Sequence, residues 1–204
     1  MVITALHGFL GAPDDWNFLR DAGFDIDTPP LDAIPPRGDT LLGYSLGGRL
    51  ALHALLAGAH YDRAIFISTG LGIEDESART ARRASDEAWA HRFESEDWDT
   101  VTNAWNAQPV LAGPALPRTR DDYDPRALCE WSSAVLPPVA SRLHELTIPT
   151  LWIAGARDTK YVAEAHRAAS LAPNPRVAIV ENAGHRVPWE RQEAFIAIVR
   201  AFVR

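Results

Sequence analysis

Thr40-Leu-Leu-Gly43-Tyr-Ser45-Leu-Gly47-Gly48-Arg49 passes from an apolar run, through a serine flanked by glycines, into a segment of helical period that continues to Ala57. A serine on a tight turn between strand and helix presents its hydroxyl at the sheet edge, and small residues two positions to either side let neighbouring chain segments pass without collision. The helix that follows turns its first N–H groups, with their partial positive charge, toward any oxyanion formed there. The pentapeptide alone is also compatible with a glycine-rich turn carrying an incidental serine. Outward from it, short apolar and β-branched runs at Val2–Leu6, Phe24–Asp27, Thr40–Tyr44, Arg63–Ser68, Thr150–Ala154 and Arg176–Val180 alternate with helical segments at Asp14–Ala22, Leu46–Ala57, Lys160–Leu171 and Trp189–Val203. That alternation predicts an α/β fold, a doubly wound sheet of about six mostly parallel strands with helices on both faces. Ligands of such sheets sit at the carboxyl ends of the strands.

Two stretches break the pattern. From Ser77 to Val135 come two helix-like segments, Ser77–Phe93 and Glu96–Ala107, and then a proline-rich passage around Pro109, Pro114 and Pro117. This predicts a small helical cap inserted over the active edge of a single domain spanning 1–204. The link from Asp27 to Thr40 holds Pro29, Pro30, Pro35 and Pro36, too many prolines for a crossover helix, and is expected to be an irregular loop.

At 204 residues, 47% hydrophobic and 23% charged, the chain has the size and composition of one globular unit. The lone Cys129 has no partner for an internal disulfide. Histidines at positions 7, 53, 60, 91, 144, 166 and 185 never fall into a metal-ligand spacing. Neither a metal nor a cofactor is expected. A formal charge of −7 without a basic stripe argues against nucleic acid or an anionic membrane as the main partner. No apolar run approaches the roughly 18 to 20 residues of a membrane span. The opening Met1–His7 is too short for a signal peptide, so cytoplasmic residence is the default expectation.

Two further motifs fall at carboxyl ends of expected strands: Gly155-Ala-Arg-Asp158 after Thr150–Ala154, and Ala183-Gly-His185 after Arg176–Val180. Alone, Asp158 could cap the next helix and His185 could be an exposed loop histidine. Together with Ser45, in the order Ser, Asp, His, they resemble the catalytic set of the α/β-hydrolase fold. In that set His185 takes the Ser45 proton, and Asp158 holds the imidazole tautomer and stabilises its cation. Whether the activated Ser45 attacks a carbonyl or abstracts a substrate proton is left open by the three residues. His7-Gly-Phe-Leu-Gly11 follows the first strand, where this fold places a loop donating to the oxyanion. By that analogy the N–H groups of Phe9 and Leu46 form the hole, and His7 is a hydrogen-bonding loop residue.

The resemblance extends beyond the fold. His7-Gly-Phe-Leu-Gly with Trp16 downstream, Gly43-Tyr-Ser-Leu-Gly-Gly-Arg49, the segment Arg79–Phe93 with Ser85-Asp86 and Trp89, Trp105-Asn-Ala-Gln-Pro-Val110, Gly155-Ala-Arg-Asp-Thr-Lys160 and Ala183-Gly-His185 span most of the chain. They are similar to the family of 2-succinyl-6-hydroxy-2,4-cyclohexadiene-1-carboxylate synthases of menaquinone biosynthesis, which eliminate pyruvate. The resemblance implies that Arg49, Arg82, Trp105 and Lys160 line the site of an anionic small-molecule substrate, with serine acting as base and the oxyanion hole holding an enolate-like charge. Independently, at 100° per residue Arg82 lies about 20° from Trp89 and on the side of Phe93, so it shares the aromatic face of its helix. An exposed arginine lying over Trp89, or for Arg49 a structural ion pair, is the plainer alternative. The chain departs from the family in lacking a Gly-His-Gly turn and a helix between Asp27 and Thr40. It also starts directly at the first motif strand and is abbreviated between Pro109 and Leu143.

A carboxylesterase acting on small esters through a covalent acyl-serine is the rival reading, and it needs no arginine clamp. A degenerate, non-enzymatic binding protein is a third. The absent helix further suggests a bare apolar sheet face near Phe24–Asp27, hence a homodimer.

Overall fold

The computed structural model describes residues 1–204. Six strands form one sheet in the order β2-β1-β3-β4-β5-β6: β1 Val2–Leu6, β2 Asp25–Asp27, β3 Arg37–Tyr44, β4 His60–Ile67, β5 Thr150–Gly155 and β6 Pro175–Val180. Every neighbouring pair is parallel, with Thr4 beside Leu41, Leu42 beside Ile65 and Phe66 beside Trp152. The order of strands turns back between β1 and β3, so the crevice at their carboxyl ends is where a ligand is expected.

Strands covered on both faces need apolar side chains at successive positions, and the central strands have them. Ile3, Leu42, Ile65, Ile67 and Ile153 point into one core, closed by Trp16 and Leu19 of α1 (Asn17–Asp21, with Trp16 just ahead of it) and by Phe195, Val199 and Phe202 of α8 (Gln192–Val203). Leu6, Leu41, Phe66 and Trp152 point the other way, under Leu52 and Leu55 of α2 (Leu46–Leu56) and Ala165 and Ala168 of α6 (Thr159–Leu171). Leu42 is fully buried, and truncating such a residue to alanine costs about 2–5 kcal/mol.

Between β4 and β5 the chain leaves the sheet and forms α3 (Glu76–Ser95), α4 (Trp98–Asn106) and the short α5 (Arg126–Cys129). Asp75 and Asp97 begin α3 and α4 by accepting from Ala78 N and Thr100 N. Their apolar side chains build a third cluster, Ala90, Phe93, Val101 and Leu128, which closes on Phe9 and Leu10 of the loop after β1. The insertion is thereby packed onto the carboxyl edge of the sheet.

Several boundaries differ from the expected ones. β3 starts at Arg37 and β4 at His60, because the ladder pairs Arg37 with His60 and Gly38 with Tyr61 through backbone groups that hydrophobicity does not reveal. The expected helix Asp14–Ala22 opens as a 3-10 turn at Pro13–Trp16. Trp189–Val203 is two helices, α7 (Val187–Glu190) and α8, broken at Arg191 with φ −139° and ψ 55°. No helix lies between Asp27 and Arg37, as the prolines predict, yet the face there is not bare and apolar. Asp25 and Asp27 are exposed on it, while Leu31 and Ile34 fold back onto the core. Phe24 is half-buried against the opposite core, with the Arg200 guanidinium 5.3 Å from its ring centre. The surface invoked for a homodimer is therefore absent. No helix is long and apolar enough to cross a membrane.

Candidate active site

Ser45 is the single residue between β3 and α2, with φ 52° and ψ −109°. A side chain held in that region stores strain of roughly 1–3 kcal/mol, which persists only where the surroundings enforce it. Here the Ser45 N–H donates to Ile67 O at 2.8 Å and its carbonyl accepts from Arg49 N at 3.1 Å. The turn is too tight for side chains at its flanks. A Cβ on Gly43 would sit 2.5 Å from Gly48 Cα, and one on Gly47 would sit 2.6 Å from Leu6 O.

His185 Nε2 lies 3.1 Å from Ser45 Oγ, and His185 Nδ1 lies 2.7 Å from Asp158 Oδ2. Both the imidazole and the carboxylate are buried. A neutral imidazole with its proton on Nδ1 satisfies both contacts: it donates to the carboxylate and accepts from the serine hydroxyl. Asp158 Oδ1 meanwhile accepts from Tyr161 N at 3.5 Å at the start of α6, so the helix-capping role and the histidine contact coexist in one side chain. The Tyr161 and Tyr44 rings pack 4.6 and 5.6 Å from the imidazole, and burial pushes both phenols above their ordinary range.

Phe9 and Leu46 border the space in front of Ser45. Leu46 opens α2, so its N–H has no acceptor within the helix. The Phe9 ring meanwhile anchors the insertion, edge-on to Trp105 at 4.6 Å and to Phe93 at 5.4 Å. His7 borders no part of this space. Its Nδ1 lies 2.9 Å from Gly8 O, and burial holds its imidazole below the ordinary histidine range.

From Ser45 and His185 a cavity of about 350 Å³ runs beneath the insertion, bordered by all four other candidate residues, Arg49, Arg82, Trp105 and Lys160. They differ in readiness. The buried Arg49 guanidinium donates only to two backbone carbonyls, Gly70 O and Leu136 O at 3.3 Å each, and its Nε–H has no acceptor. No carboxylate lies in ion-pair contact with it, Glu164 of the same cavity acting on it only at longer range, and burial lowers its pKa to about 10, still leaving it charged at neutral pH. Arg82 Nε is committed to Asp86 Oδ1 at 2.7 Å, a carboxylate whose second oxygen is buried without a donor. Trp105 stands edge-on to Trp89 at 4.9 Å, and Lys160 is exposed at the rim with its Nζ 5.2 Å from the Tyr161 ring centre. No three His, Cys, Asp or Glu side chains gather into a metal-binding group.

The sequence matches the Alpha/beta hydrolase family over residues 3–198. The chain belongs to the alpha/beta hydrolase family. It is 31% identical over 175 residues to the 2-succinyl-6-hydroxy-2,4-cyclohexadiene-1-carboxylate synthase of Salmonella typhimurium, spanning 80% of this chain and 68% of that one. Its structure is similar to that of MenH from S. aureus, with a TM-score of 0.88 at 25% identity over 100% of this chain and 93% of the other. Carboxylesterase CesB from Bacillus subtilis shares the fold alone, with a TM-score of 0.67 at 18% identity over 99% and 83% of the two chains. This α/β hydrolase is thus an enzyme of the hydrolase-fold type, related to that synthase.

Three positions of this α/β hydrolase carry weight that the motifs did not reveal. Ser68, at the end of β4 with φ 47°, donates its hydroxyl to His185 O at 2.8 Å. Glu190 accepts from Gly184 N at 2.8 Å and Arg186 N at 3.0 Å, fixing the turn on both sides of His185. The buried Arg186 reaches into the insertion and donates to Leu111 O, Pro114 O and the Asn106 side chain. An arginine next to the histidine motif was the available signal, but its partners lie 72 to 80 residues away in the chain.

Proposed function

We propose that this enzyme eliminates pyruvate from a polyanionic cyclohexene carboxylate bearing an enolpyruvyl group, the reaction that its resemblance to the 2-succinyl-6-hydroxy-2,4-cyclohexadiene-1-carboxylate synthases implies. The observation that carries the reading is Arg49: a buried, charged guanidinium without a carboxylate partner, facing the cavity that begins at Ser45. Burying such a cation is costly unless an anion arrives to meet it. A neutral ester leaves that cost to two carbonyls and the longer-range charge of Glu164, whereas a substrate carboxylate offsets it through charge-assisted hydrogen bonds.

In this account the Ser45 hydroxyl, deprotonated by His185 with Asp158 stabilising the imidazolium, removes a carbon-bound proton beside the substrate carbonyl. The enolate-like oxygen is held by the N–H groups of Phe9 and Leu46 at the positive end of α2. The electron pair then breaks the ring C–O bond, and the departing enolpyruvate gains a proton to become pyruvate. Arg49 holds one carboxylate, Arg82 offers the terminal N–H groups that its Nε contact with Asp86 leaves free, Lys160 adds positive charge at the rim, and Trp105 packs against the ring. No cofactor is required.

The same serine, histidine and aspartate serve acyl transfer, and the fold is shared with a carboxylesterase, so the test must separate the two. Ultraviolet absorbance of a newly formed conjugated diene, appearing in step with pyruvate, is expected. Turnover of short p-nitrophenyl esters with no diene formation would replace the elimination by ester hydrolysis.

A further inference from the structure

Ser45 and His185 also border a second, smaller cavity. It has a volume of about 80 Å³ and reaches from the Ser45–His185 pair toward Tyr44, Trp189 and the loop after Leu111. Phe9, Trp105 and Leu111 border both cavities, so these three side chains and the serine–histidine pair form the common wall. At roughly 10–15 Å³ for each enclosed water, the smaller cavity has room for about five to eight water-sized groups, the bulk of a three-carbon acid and too little for a substituted ring.

Its charges are arranged asymmetrically. At one end Arg118 and Asp15 neutralise each other through two parallel hydrogen bonds of 2.8 Å. Arg186 has no such partner: its guanidinium meets two carbonyls and one amide oxygen, all neutral, and Glu190 is turned to backbone N–H groups instead. The smaller cavity thus has one fixed, buried, unneutralised cation, as the larger one has Arg49.

We infer that the smaller cavity receives the three-carbon α-keto acid as it leaves the ring, with Arg186 attracting its carboxylate; this rests on the elimination proposed above. The arrangement separates the two products across a shared wall. The ring with its remaining carboxylates stays on the Arg49 side, and the enolpyruvate oxygen keeps the electron pair of the broken C–O bond on the Arg186 side. His185 borders both cavities, so the proton collected through Ser45 from the ring carbon can be returned to the methylene carbon of the enol, which balances the reaction without an outside acid.

The test is pyruvate binding by calorimetry and pyruvate inhibition of turnover, in the wild type and two variants. Leu116→Trp fills the smaller cavity without touching a charge, since Leu116 borders only that cavity and makes no polar contact there. Arg186→Gln removes the cation, and near-ultraviolet circular dichroism checks that the insertion stays docked. Each variant is expected to weaken pyruvate binding about tenfold or more, Arg186→Gln through one lost charge-assisted contact and Leu116→Trp through lost space, and to lower kcat more than it raises KM for the ring substrate. A wild type that releases pyruvate from the ring substrate, yet binds free pyruvate no better than the two variants do, overturns the departure cavity and leaves the elimination standing. A wild type that releases no pyruvate removes the elimination, and this inference with it.

Discussion

Asp158 and His185 meet 2.7 Å apart in a setting where both are buried, and the second oxygen of the same carboxylate caps α6 through Tyr161 N. One side chain therefore fixes the imidazole and starts the helix that carries Tyr161. Asparagine caps helices as well as aspartate does, but it neither stabilises an imidazolium nor enforces the tautomer. Asp158→Asn is expected to lower kcat roughly 10²- to 10⁴-fold while thermal unfolding shifts little. Steady-state rates and a melting curve on one preparation separate the two effects.

Arg49→Gln keeps much of the side-chain bulk but removes the charge. One lost charge-assisted contact is worth about 1.5–3 kcal/mol, so kcat/KM for the anionic substrate is expected to fall roughly 10- to 100-fold. The fall for a neutral p-nitrophenyl ester is expected to be much smaller. Equal losses on both substrates would mean that Arg49 acts through Gly70 and Leu136 as a strut and holds no anion.

Ser68→Ala leaves the buried His185 carbonyl without its 2.8 Å donor. The expected cost is about 1–3 kcal/mol of stability, together with a several-fold loss of kcat as the histidine turn loosens. Denaturant midpoints alongside rates check this, and unchanged rates would restrict Ser68 to folding.

Gly43→Ala drives a methyl group to 2.5 Å from Gly48 Cα, a backbone contact that no rotamer relieves. At least about 2 kcal/mol of destabilisation is expected. Reaction of Ser45 with a fluorophosphonate probe is expected to slow even at temperatures where the variant is folded, because relief of the clash must displace the turn.

His53 gives the protein a pH-sensitive margin. Burial, with Arg49 and Arg142 nearby, holds its pKa at about 4 against an ordinary 6.5, and its Nε2 has no partner. The folded state thus resists a proton that the unfolded chain accepts, so stability is complete above pH 6.5 and declines as pH falls toward 4. His53→Leu is expected to flatten that part of the stability–pH curve in urea titrations. An unchanged slope would assign the acid sensitivity to other groups.

The parts of the site legible in the sequence were those whose chemistry is local. Gly43 to Gly48 announces its turn because neighbouring segments leave no room for side chains, and the Asp158 and His185 motifs each close an apolar strand. Arg82 was placed on the aromatic face of α3 by its spacing from Trp89, and it does border the cavity, but its tie to Asp86 required side-chain positions. The ion pair considered for Arg49 is absent, since its partners are carbonyls, which no residue pattern encodes. Arg186, Ser68 and Glu190 were missed for the same reason: all but one of their partners, the Asn106 side chain met by Arg186, are backbone atoms, which for Arg186 and Ser68 lie far away in the chain. The polar ends of β3 and β4 were missed because pairing there is decided by ladder geometry.

The most direct test of the elimination is continuous pyruvate detection with a coupled dehydrogenase when purified protein meets the enolpyruvyl-bearing cyclohexene carboxylate, with Ser45→Ala as control. Rapid, stoichiometric pyruvate release by the wild type and loss of release in the variant are expected. No release by the wild type, or release undiminished by removal of the Ser45 hydroxyl, would contradict it.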